Sequence, residues 1–280
     1  MKIFLQSTQA YKFLVKVYKK LFNVPKHPLQ KLKTTEGYNY VDLGSNYGGW
    51  SFVEEEGING CTIISAGLGE DASFDVEFAS KYNAKVIIVD PTPRAIKHFN
   101  NIHDSLGRDR SEPYSRGGNQ PIHAYDLSNV NEDNFQLVKK ALWNNNENLK
   151  FYEPPNPKHV SYSAINFQSN YSKETNFIEV QAITLDQLLK DINLDTTQLY
   201  LIKLDIEGAQ FEVIKHFLSK GIFPKQILVE LDELNVPSTE SFKRVTETNF
   251  ILGKYGYEMI KNDGNANFLY YKNDEKKIKN

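Results

Sequence analysis

The sequence predicts an α/β fold in which a mostly parallel central sheet carries helices on both faces, preceded by an N-terminal helical extension. Two observations carry this. Compact apolar runs bounded by turn residues recur at Cys61 to Ala66, Lys85 to Asp90, Leu199 to Asp205 and Ile227 to Glu233. Between them lie segments of helical spacing at Ser73 to Tyr82, Pro93 to Ile102 and Ala209 to Gly221. Strands separated by helices imply a parallel sheet, because parallel neighbours need a crossover. A chain of 280 residues, 40% apolar and 24% charged, is long enough to bury one substantial core.

Residues 1–39 form the extension. Lys12, Lys16, Lys19 and Lys20 interrupt its apolar residues, so it reads as an amphipathic helix and lacks the continuous block of a signal peptide or membrane span. Pro25 and Pro28 end it. The main domain runs over 40–272. YVDLGSNYGGW, from Tyr40 to Trp50, is a short strand and a glycine-rich turn. After the first two strand-helix pairs, 103–134 is rich in Gly, Asn, Asp, Ser and Arg with little apolar periodicity, which marks an insertion or lid. FQLVKKALW, NLKFY, SYSAINF and FIEVQAITL are β-rich, and TLDQLLKDI adds a short helix capped by Thr184 or Asp186. Beyond Glu233 come a helix from about Ser238 to Gly253 and a closing hairpin, YEMIK with NFLYYK; residues 273–280 should fray.

With 33 basic and 35 acidic residues the net charge is -2, so no global field draws the protein to nucleic acid or an anionic membrane. The single cysteine, Cys61, forms no intramolecular disulfide, which fits a reducing compartment and predicts a cytoplasmic protein. None of the six histidines has metal-ligand spacing, so no metal is expected.

In an open parallel sheet, ligands lie across the carboxyl ends of the strands, and the first strand-to-helix turn must admit them closely. Gly67-Leu68-Gly69-Glu70-Asp71 supplies such a turn. Asp90 ends the next strand 21 residues after Gly69, near the offset at which a carboxylate takes ribose hydroxyls; its structural alternative is capping the helix opened by Thr92 and Pro93. The third glycine of a dinucleotide fingerprint is missing, and Glu70 with Asp71 would repel a pyrophosphate. S-adenosylmethionine, bringing a sulfonium and an ammonium, suits the turn better.

The chain resembles the FkbM family of methyltransferases. IIVDPTPRAIKHFNNI is similar to the family's acid-proline-x-proline segment, FQLVKKALWNNNENLKFYEP to its later strand pair around an Ala-Leu core, and SYSAINF with IEVQAITLDQLL to its serine-rich and Thr-Leu-Asp-x-Leu elements. LIKLDIEGAQFEVIKHF resembles the Lys-x-Asp-x-Glu-Gly-x-Glu hallmark, with Gln210 replacing the final acid. The resemblance implies a Rossmann-like methyltransferase fold, S-adenosyl-L-methionine as donor, and O-methylation of a sugar, glycan or natural-product hydroxyl. The spacing of the glycine turn to Asp90 assigns the cofactor to Gly67, Leu68, Gly69, Glu70, Asp71 and Asp90, together with Pro91, Ala141 and Asp205. YVDLGSNYGGW also looks like the family's first motif, but a strand and a helix separate it from Asp90. Asp42, Gly44 and Asn46 are the alternative cofactor loop.

A hydroxyl acceptor needs somewhere to send its proton, and a carboxylate near it is the obvious device. Asp205 and Glu207, at the end of a buried strand, are the candidates; capping of the next helix is their structural alternative. His159 is a third candidate for reaching the acceptor, and Glu230 and Asp232 would share the same pocket. Tyr47, Trp50, Tyr152 and Tyr162 fall where they would stack on a sugar or meet a sulfonium. Two other readings stand beside this one: an NAD-dependent oxidoreductase on the same fold, and a non-catalytic methyltransferase-like module in glycan assembly.

Overall fold

The computed structural model describes residues 25–114, 120–154, 161–165 and 175–273. The predicted N-terminal helix, the chain end beyond Asn273, most of the loop after Pro154, and His159 lie outside these.

Five parallel strands form one side of a seven-stranded sheet, out to its edge: β3 (Thr62–Ala66), β4 (Lys85–Val89), β5 (Phe135–Val138), β9 (Leu199–Leu204) and β10 (Gln226–Glu230). The closing hairpin, β11 (Tyr257–Asn262) and β12 (Asn267–Lys272), completes it by inserting β12 antiparallel beside β10. The order is β11-β12-β10-β9-β3-β4-β5, so β3 and β9 are neighbours at the centre and the connections leave in opposite directions on either side of them. This is a mixed, mostly parallel sheet of the Rossmann-like methyltransferase kind, and it puts a crevice at the carboxyl ends of β3 and β9.

Helices cover both faces because these strands are apolar on both. Ile64, Ala66, Ile87, Val89, Ile202 and Leu204 pack beneath α3 (Leu185–Asp191), α4 (Gln210–Ser219) and α5 (Thr239–Lys254). Their alternating neighbours Ile63, Val86, Ile88 and Leu201 pack against α1 (Ser73–Tyr82) and α2 (Pro93–His103). Ser238 caps α5 by accepting from Ser241 N–H, and Thr184 caps α3 by accepting from Gln187 N–H.

Two smaller sheets bring further segments to the crevice. β1 (Tyr40–Leu43) and β2 (Trp50–Val53) form an antiparallel hairpin outside the main sheet, so YVDLGSNYGGW is the turn of a separate ribbon and β3 is the strand that feeds the glycine turn. FQLVKKALW splits between sheets: after β5, Ala141–Leu142 (β6) pairs parallel with β8 (Phe177–Ile183), which pairs antiparallel with β7 (Asn148–Tyr152). Ser163 bridges to Tyr152 and hooks segment 161–165 onto the end of β7.

The described part of 103–134 is anchored by apolar side chains, with Tyr114, Tyr125, Leu127 and Val130 buried beside α2. The Tyr125 hydroxyl accepts from Ala72 N–H at 3.0 Å and lies 2.9 Å from His98 Nε2, tying this segment to the start of α1.

Candidate active site

A cavity of about 850 Å³ opens at the carboxyl ends of β3, β4, β9 and β10. It is lined by Gly67, Leu68, Gly69, Glu70, Asp71, Asp90, Pro91, Ala141, Asp205 and Glu207, so the structure brings the expected site residues together except His159, which lies outside the described residues. Glu230, Asp232, Trp50, Tyr47 and Tyr162 line it as well; Tyr152 does not.

The glycine turn fits against the strand beside it. Gly67 has φ +88°, and a side-chain carbon there would fall 1.8 Å from the carbonyl oxygen of Asp205. Only glycine permits β3 to end this close to β9. Asp90, 6% exposed, fixes the turn from the other side: Oδ2 accepts from the N–H groups of Leu68 at 2.9 Å and Gly69 at 3.2 Å. Its Oδ1 accepts from Thr92 N–H at 2.8 Å and from the Thr92 hydroxyl at 2.7 Å. Four donors fill the usual acceptor capacity of a carboxylate, so Asp90 holds both the turn and the entry to α2.

The acids of the turn have protein partners, which changes the expected charge argument. Glu70 makes a bidentate pair with Arg94, Nε to Oε1 at 2.8 Å and Nη2 to Oε2 at 2.7 Å. Asp71 Oδ1 accepts from Ser73 N–H at 2.9 Å, and Oδ2 accepts from the Ser45 hydroxyl at 2.6 Å. The charge of Glu70 is thus paired with Arg94, whereas Asp71 is held by neutral donors and keeps its charge. Further carboxylates lie next to the turn, beyond the ends of β9 and β10.

There, Asp205 and Glu207 follow β9, while Glu230 and Asp232 end β10 and begin the next turn. Burial, then the charge of Asp205, holds the Glu230 carboxyl well above its ordinary range. Asp232 is pushed the same way by burial, then by Glu207, Glu230 and Asp205. The intervening backbone is unusual: Glu207 has φ 52° and Gly208 φ 91°. The Ser163 hydroxyl donates to the Glu207 carbonyl at 2.7 Å, and Arg244 Nη2 donates to the Gly208 carbonyl at 2.9 Å. The serine-rich segment thus secures the Asp205–Gly208 turn.

The alternative loop from the sequence contributes only part of itself. Asn46, Tyr47, Gly48 and Gly49 line the cavity, whereas Asp42 and Gly44 do not. Asp42 accepts from the Ser51 hydroxyl and from Lys261 Nζ at 2.9 Å on the hairpin's outer side. Gly44 N–H donates to Glu77 Oε2 at 2.8 Å, and Ser45 N–H to the Ser73 hydroxyl at 2.7 Å, so the ribbon docks on the start of α1. A side-chain carbon on Gly48 would meet the Asp71 carboxylate at 2.7 Å. The two glycine segments are roof and floor of one cavity, with Tyr47 79% exposed at the rim.

Sequence reasoning missed Lys203. It pairs in register with Ser65, is 3% exposed, and donates to the Gly67 carbonyl at 2.8 Å and the Ser65 hydroxyl at 3.3 Å. Its ammonium lies 5.8 Å from the ring centre of Trp50. It is the lysine of the Lys-x-Asp-x-Glu-Gly-x-Glu hallmark, and its place inside the apolar run LYLIKL was the further signal that it is buried. The turn between β11 and β12, which places Asp263, Asn265 and Asn267 on the cavity wall, was missed too. Among the described residues, no three His, Cys, Asp or Glu side chains converge to hold a metal ion.

The methyltransferase FkbM domain matches residues 58–259, most of the chain. No curated protein matches the sequence. Three solved chains match the fold. One, a crystal structure of monomeric WbdD, aligns at 10% identity and a TM-score of 0.38 over 75% of this chain and 36% of that one, so this chain spans about a third of its length.

Proposed function

Because the chain belongs to the FkbM methyltransferase family, we propose that it is an S-adenosylmethionine-dependent O-methyltransferase acting on a hydroxyl of a sugar, glycan or small natural product. The observation that carries the proposal is the pairing across one cavity of a glycine turn with a wall of carboxylates, Asp205, Glu207, Glu230 and Asp232. A donor with a sulfonium and an ammonium fits that combination; two phosphates placed against the same wall would be repelled.

In this mechanism Gly67, Leu68 and Gly69 present backbone to the adenosyl end, with Asp90, Pro91 and Ala141 bordering it. Asp90 serves the ribose chiefly by keeping the turn in shape, since its oxygens are engaged with Leu68, Gly69 and Thr92. When bound, the donor supplies an electrophilic methyl group on a sulfonium. Asp205, adjoining Gly67, orients the methionine end and takes the acceptor hydroxyl's proton, with Glu207 beside it. The hairpin roof limits water over the reacting groups.

Calorimetry with S-adenosylhomocysteine and with NADH tests the donor: binding of the dinucleotide alone would replace this reading with an oxidoreductase. Tight homocysteine-ligand binding without turnover on any hydroxyl panel would favour a non-catalytic module. Asp205→Asn should lower turnover more than cofactor affinity, and equal losses would make Asp205 a structural cap.

A further inference from the structure

The cavity is divided chemically along the sheet. From β10 onward its described lining residues, apart from Ala266, are acids and amides: Glu230, Asp232, Asn235, Asp263, Asn265 and Asn267. At the β4–β5 side, the small sheet of β6, β7 and β8 reaches the cavity with Ala141, Leu142 and Phe151, all apolar. β3 and β9 lie between β4 and β10, so the two ends are three strand spacings apart, about 14 Å.

Two aromatic rings are held at the apolar end. Phe151 pairs with Ile178 across β7 and β8 and packs against the cluster of Ala141, Val180 and Ala182. Tyr162 precedes Ser163, whose backbone exchanges hydrogen bonds with Tyr152 at 2.8 and 3.2 Å and whose hydroxyl donates to the Glu207 carbonyl at 2.7 Å. The segment carrying Tyr162 is thereby fixed to β7 and to the Asp205–Gly208 turn at once. The Tyr162 hydroxyl donates to Glu153 Oε1 at 3.1 Å, which leaves the ring rather than the hydroxyl to meet a ligand. Both side chains are half-buried, and both line the cavity.

The donor assigned to this cavity has one flat, largely apolar part, its adenine ring, and carries its charged groups at the other end. We propose that Phe151 and Tyr162 form the wall on which that adenine stacks, so that the small sheet of β6, β7 and β8 belongs to the cofactor site and not to the acceptor site. Pro91 and Leu142 border the same end and add apolar surface beside the rings. A ring already fixed by packing offers a purine its face without further ordering. The glycine turn and Asp90 account for the ribose side of the donor, and neither of them supplies a flat apolar surface. The inference rests on S-adenosylmethionine as donor and deepens that reading: the acids and amides from β10 onward are then left to the acceptor.

The test uses the full chain and titrates it, by calorimetry, with S-adenosylhomocysteine and with methylthioadenosine, which keeps the adenosyl end and lacks the amino-acid end. Phe151→Ala and Tyr162→Ala, each checked for intact thermal unfolding, should weaken both ligands by the same factor, about tenfold. Tyr162→Phe, which keeps the ring, should bind them as the unaltered chain does. Unchanged affinity in either alanine variant overturns the proposal, and so does a loss confined to S-adenosylhomocysteine, which would put the two side chains at the amino-acid end. Where an alanine variant does not fold, amide hydrogen exchange on the unaltered chain decides: methylthioadenosine should slow exchange across 148–152 and 161–163, and unchanged exchange there overturns the proposal. An unaltered chain that binds neither ligand sinks the donor assignment and the adenine wall together, an outcome distinct from binding that the alanine variants retain, which sinks the wall alone.

Discussion

Lys203 Nζ donates to the carbonyl oxygen of Gly67 at 2.8 Å, from a side chain buried between the central strands and α1. Asp75, fully buried in the first turn of α1, faces the same charge: burial pushes its carboxyl up, and Lys203 pulls it back. Lys203→Met should therefore destabilise the fold by about 1 to 3 kcal/mol, the cost of leaving the buried Gly67 carbonyl without its donor. Without Lys203 the Asp75 carboxyl rises further, so it keeps a proton that the unfolded chain releases. The loss is then largest at high pH and shrinks as pH falls toward the ordinary carboxylate range. Adding Asp75→Asn should recover part of it, and purely additive effects in denaturant titrations would show that the two do not interact.

Asp90→Ala removes four accepted hydrogen bonds at once. We expect a lower unfolding temperature together with S-adenosylhomocysteine affinity weaker by about 1 to 3 kcal/mol. Loss of affinity at unchanged stability would instead make Asp90 a direct ribose ligand, and no change in either would leave it without a role.

At Gly67 the constraint is steric, because a methyl group would overlap the Asp205 carbonyl and the backbone lies at φ +88°. Gly67→Ala should cost several kcal/mol, with β3 and β9 forced apart. Gly57 has φ +88° too but nothing within 4 Å, so Gly57→Ala is the control: a milder loss from backbone strain alone, visible in parallel thermal melts.

Burial pushes His98 down to about 4, so the folded protein keeps it neutral where the unfolded chain becomes charged. Its contribution is intact above pH 6.5 and is lost as pH falls from about 6.5 to about 4, amounting to about 2 to 4 kcal/mol at the lower end. His98→Gln, which keeps an acceptor for Tyr125, should flatten that part of the stability profile. An identical profile in the two proteins refutes the assignment.

The backbone plan was readable because it rests on local pattern. Ser73 to Tyr82 is the observed span of α1, and Lys85 and Leu199 open their strands as their apolar runs suggest. What the sequence concealed lies in pairings across distance. Nothing near Glu70 announces Arg94, nothing near Asp71 announces Ser45, and Tyr114 and Tyr125 sit in a stretch whose polar composition hides two buried rings. YVDLGSNYGG could not be placed from spacing, since a hairpin turn and a strand-to-helix turn use the same glycines. Only pairing with β2, outside the main sheet, separates them.

The insertion of β12 beside β10 has a practical consequence. It leaves the four residues from Asp263 to Ala266 as a bridge between two strands whose register is set elsewhere, while three of them, Asp263, Asn265 and Ala266, form one bank of the cavity. Lengthening or recomposing that bridge would reshape one bank while the Gly67–Asp71 turn, at the far end of the chain's order, stays as it is. It is the natural place to graft diversity when seeking variants that accept a different molecule.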